Sequence, residues 1–125
     1  MRTAILTMLL CFAFVPEASA ASSGGGVTGT YKMKGGEVRV REANGKIKFF
    51  VSAAYEANVG EVAGEAPLQG GAAAYADPDN DCALAFKFSG ETLSLAQDGT
   101  CGMGLNVTGD GIYKRTSKAA PAFDE

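Results

Sequence analysis

Downstream of residue 26, apolar side chains recur at every second position, the spacing of a strand with one buried face rather than of a helix. In GEVRVREANGKIKFFVSA, Val38 and Val40 face one way while Glu37, Arg39 and Arg41 face the other. After EANG the alternation resumes with Ile47, Phe49 and Val51. Asn44-Gly45 is a strong hairpin signal, because both residues accept positive φ. In DCALAFKFSGETLSLAQ, Cys82, Leu84, Phe86 and Phe88 share one face, and Leu93 and Leu95 continue it on the way back. A two-residue turn at Ser89-Gly90 is expected there, with Phe88 opposite Glu91 and Cys82 opposite Gln97. Weaker alternation predicts strands near Gly60–Ala66 and Ala72–Ala76, separated by Gly70-Gly71. With Thr28–Lys34, Glu37–Glu42, Lys46–Tyr55, Asp81–Phe88, Thr92–Gln97 and Val107–Arg115, the expected strands number eight. The 17 glycines of the chain punctuate at the spacing short antiparallel strands need.

Eight short antiparallel strands leave two unpaired edges unless the first and last meet, and a closed barrel removes both. The expected fold class is therefore all-β, a small closed or nearly closed barrel. The phrase GTYK at Gly29–Lys32 returns as GIYK at Gly111–Lys114. These copies are expected to be the first and last strands at the seam, each glycine bending the backbone and each tyrosine keeping its hydroxyl at a polar rim.

The ends of the chain read differently. MRTAILTMLLCFAFVPEASA carries Arg2, an apolar run from Ala4 to Val15, Pro16 and the small-x-small end Ala18-Ser19-Ala20, the features of a secretory signal peptide over residues 1–20. The run is short of the ~20 apolar residues a bilayer span needs, so no membrane span is expected. Cys11 lies inside the apolar core behind bulky Leu10, which argues against lipid attachment. Residues 21–26 read as a flexible tether, 27–116 as a single domain and 117–125 as a disordered polar tail. The destination is export, to the periplasm or beyond, and a monomer is expected.

Removal of the signal leaves two cysteines of three, Cys82 and Cys101. In an oxidising compartment one structural disulfide is the simplest pairing. Closing a loop of ~20 residues is worth about 3 kcal/mol in the chain-entropy picture.

The pattern from Cys82 through Phe86, Phe88, Gly90 and Leu93, then Gln97, Gly99, Cys101, Gly102, Gly104, Asn106, Val107, Asp110, Gly111 and Tyr113, resembles a group of small exported bacterial proteins ending in C-G-(F/M)-G-x-N-V-x-x-D-G-x-Y-(K/R). The likeness covers about the last third of the chain and, loosely, the GTY start. It implies an exported β-barrel-like fold and a Gram-negative source, and no chemistry. The plan of signal peptide, short strands and one disulfide is also similar to bacterial periplasmic lysozyme inhibitors. Their serine-glycine-x-arginine-tyrosine loop is missing, so no binding residue carries over.

Candidate chemistry is sparse. There is no histidine, no unpaired cysteine after processing and no GxSxG elbow, so nucleophile and base pairs are not assembled and no enzyme is expected. Asp77-Pro78-Asp79-Asn80-Asp81 has carboxylates at alternate positions, but a calcium loop in that register wants glycine where Cys82 stands and glutamate where Phe88 stands. No metal or cofactor is expected. Charge is uneven: Lys32, Lys34, Arg39, Arg41, Lys46 and Lys48 make the first three strands basic, whereas Glu56–Asp98 holds acids with Lys87 as the lone base. Nucleic acid is a poor partner for an exported chain whose basic strands carry no paired aromatics.

Two functional readings remain. In one, the acidic loops Tyr55–Pro67 and Ala76–Asp81, with Glu61, Glu65, Asp77, Asp79 and Asp81 as candidate contacts, bind a cationic envelope or host protein such as a lysozyme. In the other, an interior lined by Val40, Phe49, Phe86 and Leu95 carries a small apolar ligand, as in a lipocalin. Phe49, Phe50, Phe86 and Phe88 all fall in expected strands, which favours a filled interior. The exported chain is expected to begin at Ala21 without lipid, and intact mass checks this: retention of residues 1–20, or a lipidated start at Cys11, contradicts it.

Overall fold

The computed structural model describes residues 26–123. The expected signal peptide and its cleavage site, most of the tether, and Asp124 and Glu125 lie outside the described residues. Eight strands run in order: β1 (Gly29–Met33), β2 (Gly36–Ala43), β3 (Lys46–Tyr55), β4 (Asn58–Gln69), β5 (Ala72–Asp77), β6 (Cys82–Ser89), β7 (Thr92–Asp98) and β8 (Gly111–Ser117), with one 3₁₀ turn at Pro78–Asn80. Each pairs antiparallel with its neighbours in sequence, and β1 pairs with β8 to close the barrel.

The period-two pattern becomes inside and outside. Val38, Val40, Ile47, Phe49, Val51, Val62, Leu84, Phe86, Leu93 and Leu95 are buried, and the residues between them are largely exposed. Phe50 is the exception to the expected filling: it faces outward, with the Arg39 guanidinium 5.8 Å from its ring centre. The interior is spanned instead by a row of rings. Tyr75 meets Phe49 edge-on at 5.0 Å, Phe49 meets Phe86 at 4.8 Å, Phe86 stacks on Phe88 at 6.2 Å, and Phe88 meets Tyr31 at 5.6 Å. These separations fall in the range where aromatic pairs attract beyond simple burial.

The repeated GxYK phrase is a matched pair of corners at the seam. Gly29 has φ 149° and Gly111 φ 152°, a region side-chain-bearing residues avoid. A Cβ on Gly29 would strike the Ser117 carbonyl, and one on Gly111 would strike the Met33 sulfur. Two residues on, each tyrosine turns fully inward and its hydroxyl donates to a backbone carbonyl four residues upstream: Tyr31 to Val27 and Tyr113 to Gly109, both at 2.7 Å. The hydroxyls therefore do not sit at a wet rim, as expected from sequence. A buried phenol must hydrogen-bond, and the bend at each glycine supplies the acceptor.

Arg115 ties this seam to the rest. Its side chain is only 7% exposed and holds Glu91 through Nε and Nη2 at 3.2 and 2.9 Å. Nη1 donates to the carbonyls of Gly26 and Thr28, and the guanidinium lies 5.6 Å from the Tyr31 ring centre. The hydrogen bond from Arg115 also holds the Glu91 carboxyl below the usual carboxylate range.

Three boundaries differ from expectation. The β6–β7 turn is Gly90-Glu91, not Ser89-Gly90, so Phe88 faces Leu93 and Leu84 faces Gln97. Gly90, at φ 60°, takes the first central position, where a II′ turn wants glycine. Strand β4 runs from Asn58 to Gln69 because nearly its whole length pairs with β3. Its pairing with β5 is confined to Leu68↔Ala73 and Gln69↔Ala72, consistent with Pro67 lacking a ladder donor. The Tyr75 ring lies against Gly64 where the two strands part. Finally, β8 begins at Gly111 rather than Val107, and residues 99–110 form a loop.

Burial pushes the Tyr113 hydroxyl up to about 12, with the Asp110 carboxylate adding to the shift. A raised folded-state value stabilises the fold fully below the ordinary tyrosine value near 10, and that contribution is lost as pH climbs toward 12. Tyr113→Phe leaves the Gly109 carbonyl without this donor and should cost about 1–3 kcal/mol in urea unfolding at pH 7. The deficit against wild type should narrow between pH 10 and 12, because only the wild type loses the Tyr113 contribution there.

Candidate partner-binding site

Successive connections of an up-and-down barrel alternate between its two ends. The β3–β4 tip at Glu56-Ala57, the 78–81 connection and the 99–110 loop therefore share one end with the Lys34-Gly35 turn. The 99–110 loop bridges the other segments. At its start, Cys101 is bonded to Cys82, with Cα atoms 4.3 Å apart. There the Cys101 N–H donates to the Asp81 carbonyl at 3.2 Å and the Thr100 N–H to the Asp81 carboxylate at 3.4 Å. Farther along, Met103 lies against Gly60 of β4, leaving no room for a side chain there. The Asn58 side-chain amide donates to the Leu105 carbonyl at 3.2 Å.

Alternate residues Cys101, Met103, Val107 and Gly109 are buried, so the loop presents an apolar underside to the barrel mouth. Gln97 anchors its far side: its side-chain oxygen accepts from the Gly109 N–H at 2.7 Å, and its amide donates to the Gly99 carbonyl at 3.0 Å. The Asp110 carboxylate accepts from the Gln97 N–H and the Thr108 hydroxyl. Cys101 and Asn106, at φ 54° and 63°, adopt the left-handed turns that let so short a loop double back. The residues behind the bacterial-protein resemblance thus act here as a covalently pinned plug.

The five candidate acids do not form one cluster. Asp77, Asp79 and Asp81 lie at the plugged end, in and beside the Pro78–Asn80 turn. Glu61 is on the exposed face of β4, opposite Ser52. Glu65 is nearer the other end, opposite Lys48 and 3.5 Å from the Lys46 ammonium. Other acids reach the plugged end that the sequence did not single out: Glu56 at the β3–β4 tip, Asp98 at the end of β7 and Asp110 in the loop. Apolar residues stand exposed among them, Leu105 at 75%, Val59 at 70% and Tyr55 at 49%. The sequence clue to Leu105 was an apolar residue between Gly104 and Asn106, which no strand pattern uses.

Among the described residues, no three Asp, Glu, Cys or His side chains converge as a metal site would need. No described helix is long and apolar enough to cross a membrane. Comparison with protein-family models, curated proteins and solved structures gives no match.

Replacing both Cys82 and Cys101 with alanine should lower stability by about 2–4 kcal/mol, measured by urea unfolding. Two titratable thiols in the exported protein would contradict the bond.

Proposed function

We propose that the chain is a non-catalytic, protein-binding module of the cell envelope, inhibitor-like in character, whose plugged and acidic end meets a cationic protein. The observation that carries this reading is the gathering at one end of Glu56, Asp77, Asp79, Asp81, Asp98 and Asp110 around exposed Leu105, Val59 and Tyr55. An apolar centre with a charged rim is the anatomy of a protein interface, and a field of one sign speeds the encounter with an oppositely charged partner.

The disulfide and the Gln97 contacts favour the same reading, because a surface fixed before binding loses little entropy on association. The carrier alternative finds less support. The rings of Phe49, Phe86, Phe88 and Tyr31 occupy the volume a carried ligand would need, and the largest depression, about 630 Å³, is an outer-surface feature beside Ala72, Ala74, Ala85 and Ala96.

A lysozyme is the partner to test first, being basic and acting where an exported chain resides. The purified domain should inhibit at least one lysozyme class in a cell-wall lysis assay. Inhibition should weaken steeply with added salt, as exposed charges are screened over ~8 Å at physiological ionic strength. Neutralising Glu56, Asp77 and Asp79 together should weaken it about tenfold or more, since each exposed pair contributes up to ~1 kcal/mol, while Lys32→Gln should leave it unchanged. No inhibition of any class, combined with saturable uptake of a small apolar ligand, would move the assignment to a carrier.

A further inference from the structure

The basic strands carry a second, separate surface. On the outer face of β2–β4, Arg39, Lys48, Phe50, Ala63, Gly64 and Glu65 frame a groove of about 390 Å³. One wall is not part of the barrel. Residues 118–123 form no helix or strand, yet Ala122 and Phe123 line this groove. The Phe123 ring is half-buried there, its centre 5.1 Å from the Arg41 guanidinium and 5.3 Å from the Lys48 ammonium. Two cations on one ring is a selective arrangement, since each is attracted to the ring's negative face.

Pro121 restricts the chain just before Phe123, and the next two residues of the sequence, Asp124 and Glu125, are both acids. The local partners across the groove are Arg39, Arg41, Lys46 and Lys48, with Glu37 and Glu65 each engaging one of them through Arg39 and Lys46. The tail's chemistry of an aromatic ring followed by carboxylates therefore complements the groove twice, through the ring and through charge.

We propose that this groove is a docking site for an aromatic-acidic peptide segment, and that residues 121–125 occupy it in cis. A tethered segment sits at an effective concentration on the order of millimolar, so the tail screens the groove against weaker external segments and yields to those that bind more tightly. The site is independent of the acidic end, on strands carrying the opposite charge.

The test uses the exported chain, its Phe123→Ala variant, and a fluorescent peptide of sequence SKAAPAFDE read by anisotropy. Phe123→Ala should keep the thermal melt of the wild type and bind the peptide at least tenfold more tightly, because its cis competitor is lost. Adding Arg41→Ala to that variant, or replacing the peptide's phenylalanine with alanine, should abolish the gain, and raising the salt should weaken binding. Equal affinity for wild type and Phe123→Ala, no binding to a folded Phe123→Ala chain, or binding indifferent to Arg41 and to the peptide's ring would each overturn the proposal. Lysozyme inhibition should be unaffected by Phe123→Ala, which separates failure here from failure of the acidic-end reading.

Discussion

Everything in this barrel depends on the closure of β1 against β8. A meander of eight short strands has two raw edges, and unpaired backbone groups there would lose their bonds or recruit another chain. Pairing the first and last strands requires the chain to arrive and leave at sharp bends. Gly29 and Gly111 supply the bends through a backbone region other residues avoid. Each bend then brings a carbonyl within reach of a tyrosine hydroxyl, so the largest side chains at the seam are buried without an unsatisfied polar group. Arg115 extends the same logic, capping carbonyls of the incoming chain while gripping Glu91 across the β6–β7 turn. The repeated GxYK phrase is one solution to one problem, used once where the barrel chain begins and once where it ends.

Closure fixes what the inside is for. An eight-stranded barrel has an interior that side chains just fill or that admits one small ligand, and here rings from β1, β3, β5 and β6 run through it in contact. Deleting one such ring to alanine typically costs about 3–5 kcal/mol, a large part of a small domain's stability. The interior is therefore committed to holding the fold, and recognition falls to the ends and the outer faces. Those differ in sign, with acids around the plug and cations on the first strands, so two surfaces can serve two contacts without interfering.

The plug is where stability and function meet. Without strand pairing of its own, the 99–110 loop is ordered by the disulfide, by the Gln97 amide and by Met103 seated on Gly60. Its buried alternation resembles a strand in sequence, which is why Val107 looks like the start of one. The backbone reverses at Cys101 and Asn106 instead, and Gly111 begins the ladder.

The sequence by itself determined the class of fold, the number of strands, the inward set and the cysteine pair. Those follow from period-two alternation, from turn residues such as Asn44-Gly45, and from the geometry of two cysteines near one hairpin. It could not decide the β6–β7 register, because the two candidate turns place the same residues inward, and only the conformation of Gly90 separates them. Nor could alternation say that Phe50 faces out, since Phe49 and Phe50 are equally apolar neighbours and only the β2–β3–β4 pairing assigns each to a face. The candidate acids were visible as residues, but Glu61 and Glu65 parted from Asp77, Asp79 and Asp81 once strand direction sent them to different heights of the barrel. Leu105, Gln97 and Phe123 gained their roles only through contacts distant in the chain. Local pattern records which side of a strand a residue prefers; which other segments lie beside it is a property of the closed barrel as a whole.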